Sequence, residues 1–146
     1  MAVGKVINNI LINDSGVQTF FTNNGGGSPR VLPIIFPDPA KTLPETVTPS
    51  ILYEINNTEP TLVKRQTSPV DVFQVSVTVL NDSYAQSQEL STLVRTALDN
   101  FSGVNSSVNV DSIYYIDEDD NFIQNVHEGQ SGIFVVEQLY KIRVKQ

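Results

Sequence analysis

The acidic run Asp117-Glu118-Asp119-Asp120-Asn121 is the stretch whose side chains best suit a metal ion. Calcium takes six to eight oxygens, which EF-hand loops supply from alternating positions, around a central glycine, with a closing glutamate. Asp117, Asp119 and Asn121 alternate in this way, and Glu128 falls at the twelfth position. The glycine expected after the third ligand is replaced by Phe122, and the flanks read as strands. A solvated hairpin turn is therefore expected here, with a calcium-dependent binding module over residues 117–128 as the alternative.

His127 is the only histidine. A small hydrolase built on it would need a serine and an acidic orienter to meet it, and no nucleophile-elbow pattern is present. An ordinary surface position beside Glu128 is expected instead. Zinc is disfavoured, because one histidine and no cysteine leave only carboxylates as ligands. Gly25-Gly26-Gly27 follows a helical pattern and runs into Ser28-Pro29-Arg30, whereas a phosphate-cradling loop follows a strand and opens a helix. Tyr114 and Tyr115 have the surfaces to stack on single-stranded bases. No basic groove accompanies them in the sequence, so core and interface packing is the expected role. No enzyme activity and no cofactor are expected.

Charge narrows the partners. Nine Lys and Arg stand against sixteen Asp and Glu in 146 residues, a formal net charge of −7. Tight sequence-independent nucleic-acid binding relies on many cations displacing counterions from phosphates, and the few here look scattered. An acidic surface can instead let a duplex pass without sticking. Charged residues make up only 17% of the chain, against about 25% in an average soluble domain. Low charge suits a subunit that packs against copies of itself, since interface cores are depleted of charge. The absence of cysteine rules out disulfides and thiolate chemistry. The opening Met1-Ala2-Val3-Gly4-Lys5 lacks the apolar run of a signal peptide, and no stretch approaches spanning length, so a soluble protein made in the cytoplasm is expected.

The elements that must position these residues follow from periodicity. Val3, Val6, Ile7, Ile10 and Leu11 mark one face of a helix over residues 3–13. Asn13-Asp14-Ser15-Gly16 breaks it, and Ser15 with Gln18 forms a capping-box pattern for a short helix over 16–22. Residues 23–30 read as a flexible loop. Residues 31–36 read as an edge strand, because Pro33 cannot donate to a central ladder. Residues 37–50, with Pro37, Pro39, Pro44 and Pro49, read as an extended arm. Strand patterns follow at 51–55 and 62–66. The clearest alternation then places Phe73, Val75, Val77 and Val79 on one face and Gln74, Ser76 and Thr78 on the other. Ser83 with Gln86 caps a helix carrying Leu90, Leu93, Val94, Ala97, Leu98 and Phe101, of about 18 residues and roughly 27 Å, with Gly103 as its terminator. Strands at 108–116 and 133–144 complete the chain. The expected fold is a single α+β domain over 1–146: a mostly antiparallel sheet packed against one long helix, with short N-terminal helices.

This arrangement resembles the tail-completion, or tail-terminator, proteins of tailed bacteriophages and related prophage elements, over residues 3–144. The resemblance rests mainly on the passage from Phe73-Gln74-Val75-Ser76-Val77-Thr78-Val79 through Asn81-Asp82-Ser83-Tyr84-Ala85 to Leu90 and Val94-Arg95-Thr96-Ala97-Leu98. The broken N-terminal helix at Asn13-Asp14-Ser15-Gly16-Val17, the Phe36-Pro37 strand end, Pro49-Ser50-Ile51-Leu52-Tyr53 and Gly132-Ile133-Phe134 also match. The loop at 25–30 and the Pro-rich stretch to Pro49 are longer than a minimal member needs.

The resemblance implies a virion protein of the tail or neck, assembled in the host cytoplasm. Such proteins form a ring, usually of six, that stops growth of the tail tube protein and faces the head-tail connector or stopper protein. DNA passes through its lumen, and no membrane is involved. The family offers no catalytic residue to carry over. A related alternative is a neck or head-completion ring on the portal side. A cyclic head-to-tail ring needs two different complementary patches on each subunit. The polar face of Gln74, Ser76 and Thr78 and the edge strand around Val31, Ile34 and Phe36 are the expected ones.

Overall fold

A computed structural model describes residues 3–24, 27–33, 49–60, 70–123 and 132–145. Ile34, Phe36, most of the Pro-rich arm, the segment 62–66, His127 and Glu128 lie outside the described residues.

The chain begins with helices α1 (Val3–Asn13) and α2 (Ser15–Asn24). Val3, Val6, Ile7, Ile10 and Leu11 are buried, as their spacing requires. Asp14 separates the two helices and caps the second, its Oδ2 accepting from the Val17 N–H at 3.0 Å. The cap expected on Ser15 thus belongs to its neighbour, and Ser15 is the first residue of α2. Asp14 wins because a carboxylate is the stronger acceptor at the positive end of a helix.

Strands β1 (Val31–Pro33), β2 (Ser50–Pro60) and β3 (Val70–Asn81) precede helix α3 (Tyr84–Leu98). Ser83 is the N-cap, with its side chain accepting from the Gln86 N–H. The helix is 15 residues long and ends at Asp99. The next residue, Asn100, takes φ 67°, a left-handed position that asparagine tolerates. Gly103, the expected terminator, instead opens strand β4 (Gly103–Asn105). β5 (Val108–Ile123) and β6 (Ile133–Lys145) follow.

The sheet order is β1-β2-β3-β6-β5-β4. β1 runs parallel to β2, and every other described pair is antiparallel. β1 holds the edge, as Pro33 demands.

The fold expected from sequence needs correction. The molecule is not a sheet laid on one long helix: three helices accompany a six-stranded sheet that curls into a half-barrel and dominates the structure. The reason is apolar surface. α1 and α2 bury Val6, Ile7, Leu11, Val17, Phe20 and Phe21 in the same cluster as Leu90, Val94 and Leu98 of α3. That cluster lies on the sheet face formed by Phe73, Val75, Val77 and Val79 of β3 with Val136, Tyr140, Ile142 and Val144 of β6. Burying a large aliphatic or aromatic side chain is worth about 1.5–3 kcal/mol, so the N-terminal helices stabilise the fold on the same scale as α3. The sheet is also larger than expected, because β5 runs on past residue 116 through the acidic run. Pairing with β6 runs from Asn109↔Lys145 to Ile123↔Ile133, with register shifts at Val110/Ser112 and Tyr115/Asp117, and it holds residues that disfavour strands when isolated.

Candidate interaction surfaces

Alternation along the strands gives the sheet two faces. Gln138, Tyr140 and Ile142 of β6 turn toward the helices, and Glu137, Leu139, Lys141, Arg143 and Lys145 turn away. The expected interface residues of β3 lie on this second face, but Ser76 and Thr78 are only 7% and 9% exposed. Gln74 is half-buried, and the Asn56 amide donates to the Ser76 hydroxyl. Val31 is buried in the helix-side core, its carbonyl accepting from Asn8 Nδ2 at 3.0 Å, while its neighbour Leu32 is exposed.

The surface away from the helices is polarised along its length. Lys141, Arg143 and Lys145 form a row at alternating positions of β6. Asp111 is the acidic partner there, 3.4 Å from Lys145 Nζ and 3.9 Å from Arg143 Nε. Lys141 makes no ion pair among the described residues. It lies opposite Tyr114 on β5, an exposed ring. The Ser112 hydroxyl, then the Arg143 guanidinium, hold the Tyr114 phenol below the ordinary tyrosine range. These three cations were not expected as a group. Their spacing at 141, 143 and 145 is the signal that would have revealed them, once the strand was recognised as exposing that face.

The acidic run occupies the far end of β5. Asp117, Asp119 and Asn121 pair with Leu139, Glu137 and Val135, which puts them on the face away from the helices. Successive same-face residues of a strand lie roughly 6.5 Å apart, so an extended backbone spreads these side chains in a row. Among the described residues no group of three or more His, Asp or Glu gathers to hold a metal ion. Glu118 and Asp120 face the helix side. Glu118 Oε1 accepts from Gln138 Nε2 at 2.9 Å, and Asp120 Oδ2 accepts from Gln88 Nε2 at 3.2 Å.

Beyond these carboxylates, three aromatic rings gather where β5, β6 and the start of α3 meet. Phe134 packs edge-on against Tyr84, with centroids 5.5 Å apart, and tilts against Phe122 at 4.8 Å. Phe122 and Tyr84 remain 55% and 56% exposed. Rings of this size left open to water beside carboxylates mark a place where another surface can settle. Tyr84 and Phe134 are 50 positions apart in sequence, with Phe122 between them, so no local pattern announces the cluster.

A buried polar network fixes α3 to the sheet beneath these surfaces. Gln138 is fully buried and donates from Nε2 to the Ser91 carbonyl of α3 at 2.9 Å as well as to Glu118. Tyr140 donates to Gln138 Oε1 at 2.6 Å. Tyr115 packs edge-on against Tyr140, and the Arg95 guanidinium sits 3.8 Å from the centre of the Tyr115 ring. Every one of these groups is occupied in holding structure. Among the described residues no helix is long and apolar enough to cross a membrane.

No protein-family profile matches the chain, and no curated protein does. Among solved structures, it is similar to a chain of the virion of a native gene transfer agent (GTA) particle. The TM-score is 0.65 at 12% sequence identity, over 97% of this chain and 92% of that one. The likeness is one of fold.

Proposed function

We propose that this chain is a structural subunit of a phage-like virion that forms a ring at the head-proximal end of a tail. There it ends growth of the tail tube and offers the head connector a surface to join. The observation that carries the reading is the near end-to-end likeness to a chain of a gene transfer agent virion. Two properties of the molecule support it. Its polar groups with the best-defined geometry are spent on packing, as in the Gln138 network. Its exposed features, an aromatic corner and a polarised sheet face, suit contact with other proteins. In this reading the partners are five further copies, the tube protein and the connector or stopper protein, and DNA traverses the lumen without a specific grip.

The test is to add purified protein to growing tail tubes and image them by negative stain. Tubes capped at one end, with growth arrested there, support the reading. Tubes that lengthen with free ends at saturating protein contradict it. Rings seated on purified portal in place of tubes would move the subunit to the neck.

A further inference from the structure

The β5–β6 hairpin carries two patches of opposite character. At one end Tyr84 and Phe122 are exposed beside Asp82 and Asp120. Toward the other end Lys141, Arg143 and Lys145 share one face, with Asp111 as their described counterion. This small group holds a third of the chain's nine Lys and Arg residues, in a protein of net charge −7. The patches also look in opposite directions. Phe122 pairs with Phe134, whose ring meets α3, whereas the three cations project from the other side of β6. Seven to eleven residues of β6 separate Phe134 from the cations, a distance of roughly 23–36 Å.

We infer that the aromatic, acidic corner of one copy docks on the Lys141–Arg143–Lys145 face of the next. The inference rests on the ring reading and names the two surfaces that would build the ring. Charge complementarity supports the second copy as occupant: the corner is acidic, and at the Lys145 end of β6 three cations stand against Asp111 among the described residues, with Asp117, Asp119 and Glu137 further along the same face. Placement decides the symmetry. Patches at opposite ends that face opposite ways cannot both be met by one partner, so a closed two-fold pair is excluded. Each copy must use its corner on one neighbour and its cations on another, which generates a ring or a filament. Steering by such charges speeds encounter and fixes register, while the rings supply buried apolar area.

Charge reversal with complementation tests the contact. One variant carries Asp82→Lys and Asp120→Lys, and another carries Lys141→Glu and Lys145→Glu. Self-association is followed by sedimentation velocity at low and high salt, and on tail tubes by end occupancy. The wild-type protein is expected to associate more weakly as salt rises. Each reversed protein alone should lose self-association by roughly tenfold or more. An equimolar mixture of the two should recover it, and so should one chain carrying all four changes. Tyr84→Glu, which alters a ring more than half exposed, is an independent check on the corner and should weaken association in a protein that still melts cooperatively. Rings or capped tubes from the wild type that persist unchanged in every variant would overturn this contact and leave the ring reading standing. A wild-type protein that stays monomeric alone and on tubes would remove both.

Discussion

Tyr140 donates its hydroxyl hydrogen to Gln138 Oε1 at 2.6 Å, two residues away on the same strand, with both side chains sealed against α3. Gln138 in turn reaches the Ser91 carbonyl and Glu118, so one amide links helix α3, β5 and β6. Gln138→Ala should cost about 1–3 kcal/mol, because it strands the Tyr140 hydroxyl without an acceptor. Gln138→Leu combined with Tyr140→Phe should cost less than the sum of the single changes, since removing both partners of that bond leaves no Tyr140 hydroxyl to go unsatisfied. Urea unfolding of the wild type, Gln138→Leu, Tyr140→Phe and the double variant measures the coupling.

Alkaline pH addresses the same group from the other side. Burial, chiefly, pushes the Tyr140 phenol far above its ordinary value of 10.0. Above that pH the unfolded chain loses the proton while the folded chain keeps it. The folded state then binds more protons, and stability falls as pH rises, by up to about 1.4 kcal/mol per unit for this group. Below that pH the group leaves stability unchanged. Tyr140→Phe should flatten the decline without abolishing it, because burial raises Tyr115 as well. Urea midpoints collected from about pH 8 to pH 11 provide the readout.

The three-helix core makes a claim that a single-helix core does not. Ile7 of α1 and Leu90 of α3 are both fully buried in one cluster. Ile7→Ala and Leu90→Ala should each cost about 2–5 kcal/mol. A cost below about 1 kcal/mol at Ile7, measured by urea unfolding, would mean that α1 adds little to the core.

The tight turn between β4 and β5 holds Ser106 and Ser107 at φ 51° and 64°. Left-handed backbone costs a residue with a Cβ about 1–2 kcal/mol, part of which glycine recovers despite its greater unfolded entropy. Ser107→Gly should therefore stabilise the protein by roughly 0.5–1 kcal/mol in thermal melts. Ser106 is a poorer choice, because its hydroxyl accepts from Asn9 of α1 and so ties the turn to that helix.

What the sequence revealed depended on whether the deciding interaction was local. The helix over residues 3–13 and the alternation from Phe73 to Val79 are patterns of a few residues, and both appear as read. The length of β5 was not legible. Asp117 to Asn121 disfavour a strand on their own, and β6, ten or more residues further along, holds them in one. The weight of α1 in the core was likewise hidden, because amphipathic spacing reports that a helix has a buried face without saying what covers it. Ser76 and Thr78 alternate like solvent-facing residues yet are nearly buried, and the Asn56 amide reaches across from β2 to the Ser76 hydroxyl. The aromatic corner needed the fold itself to bring Tyr84 to Phe122 and Phe134.

The central claim concerns position and arrangement in a particle, and cryo-electron microscopy of intact particles made by a host expressing this chain measures both. The account predicts density for the subunit as a closed ring between the last layer of tail tube and the head connector, with adjacent copies joined corner to cation face. Finding the subunit in the capsid shell or at the distal tail tip, or complete particles without it, would contradict the account.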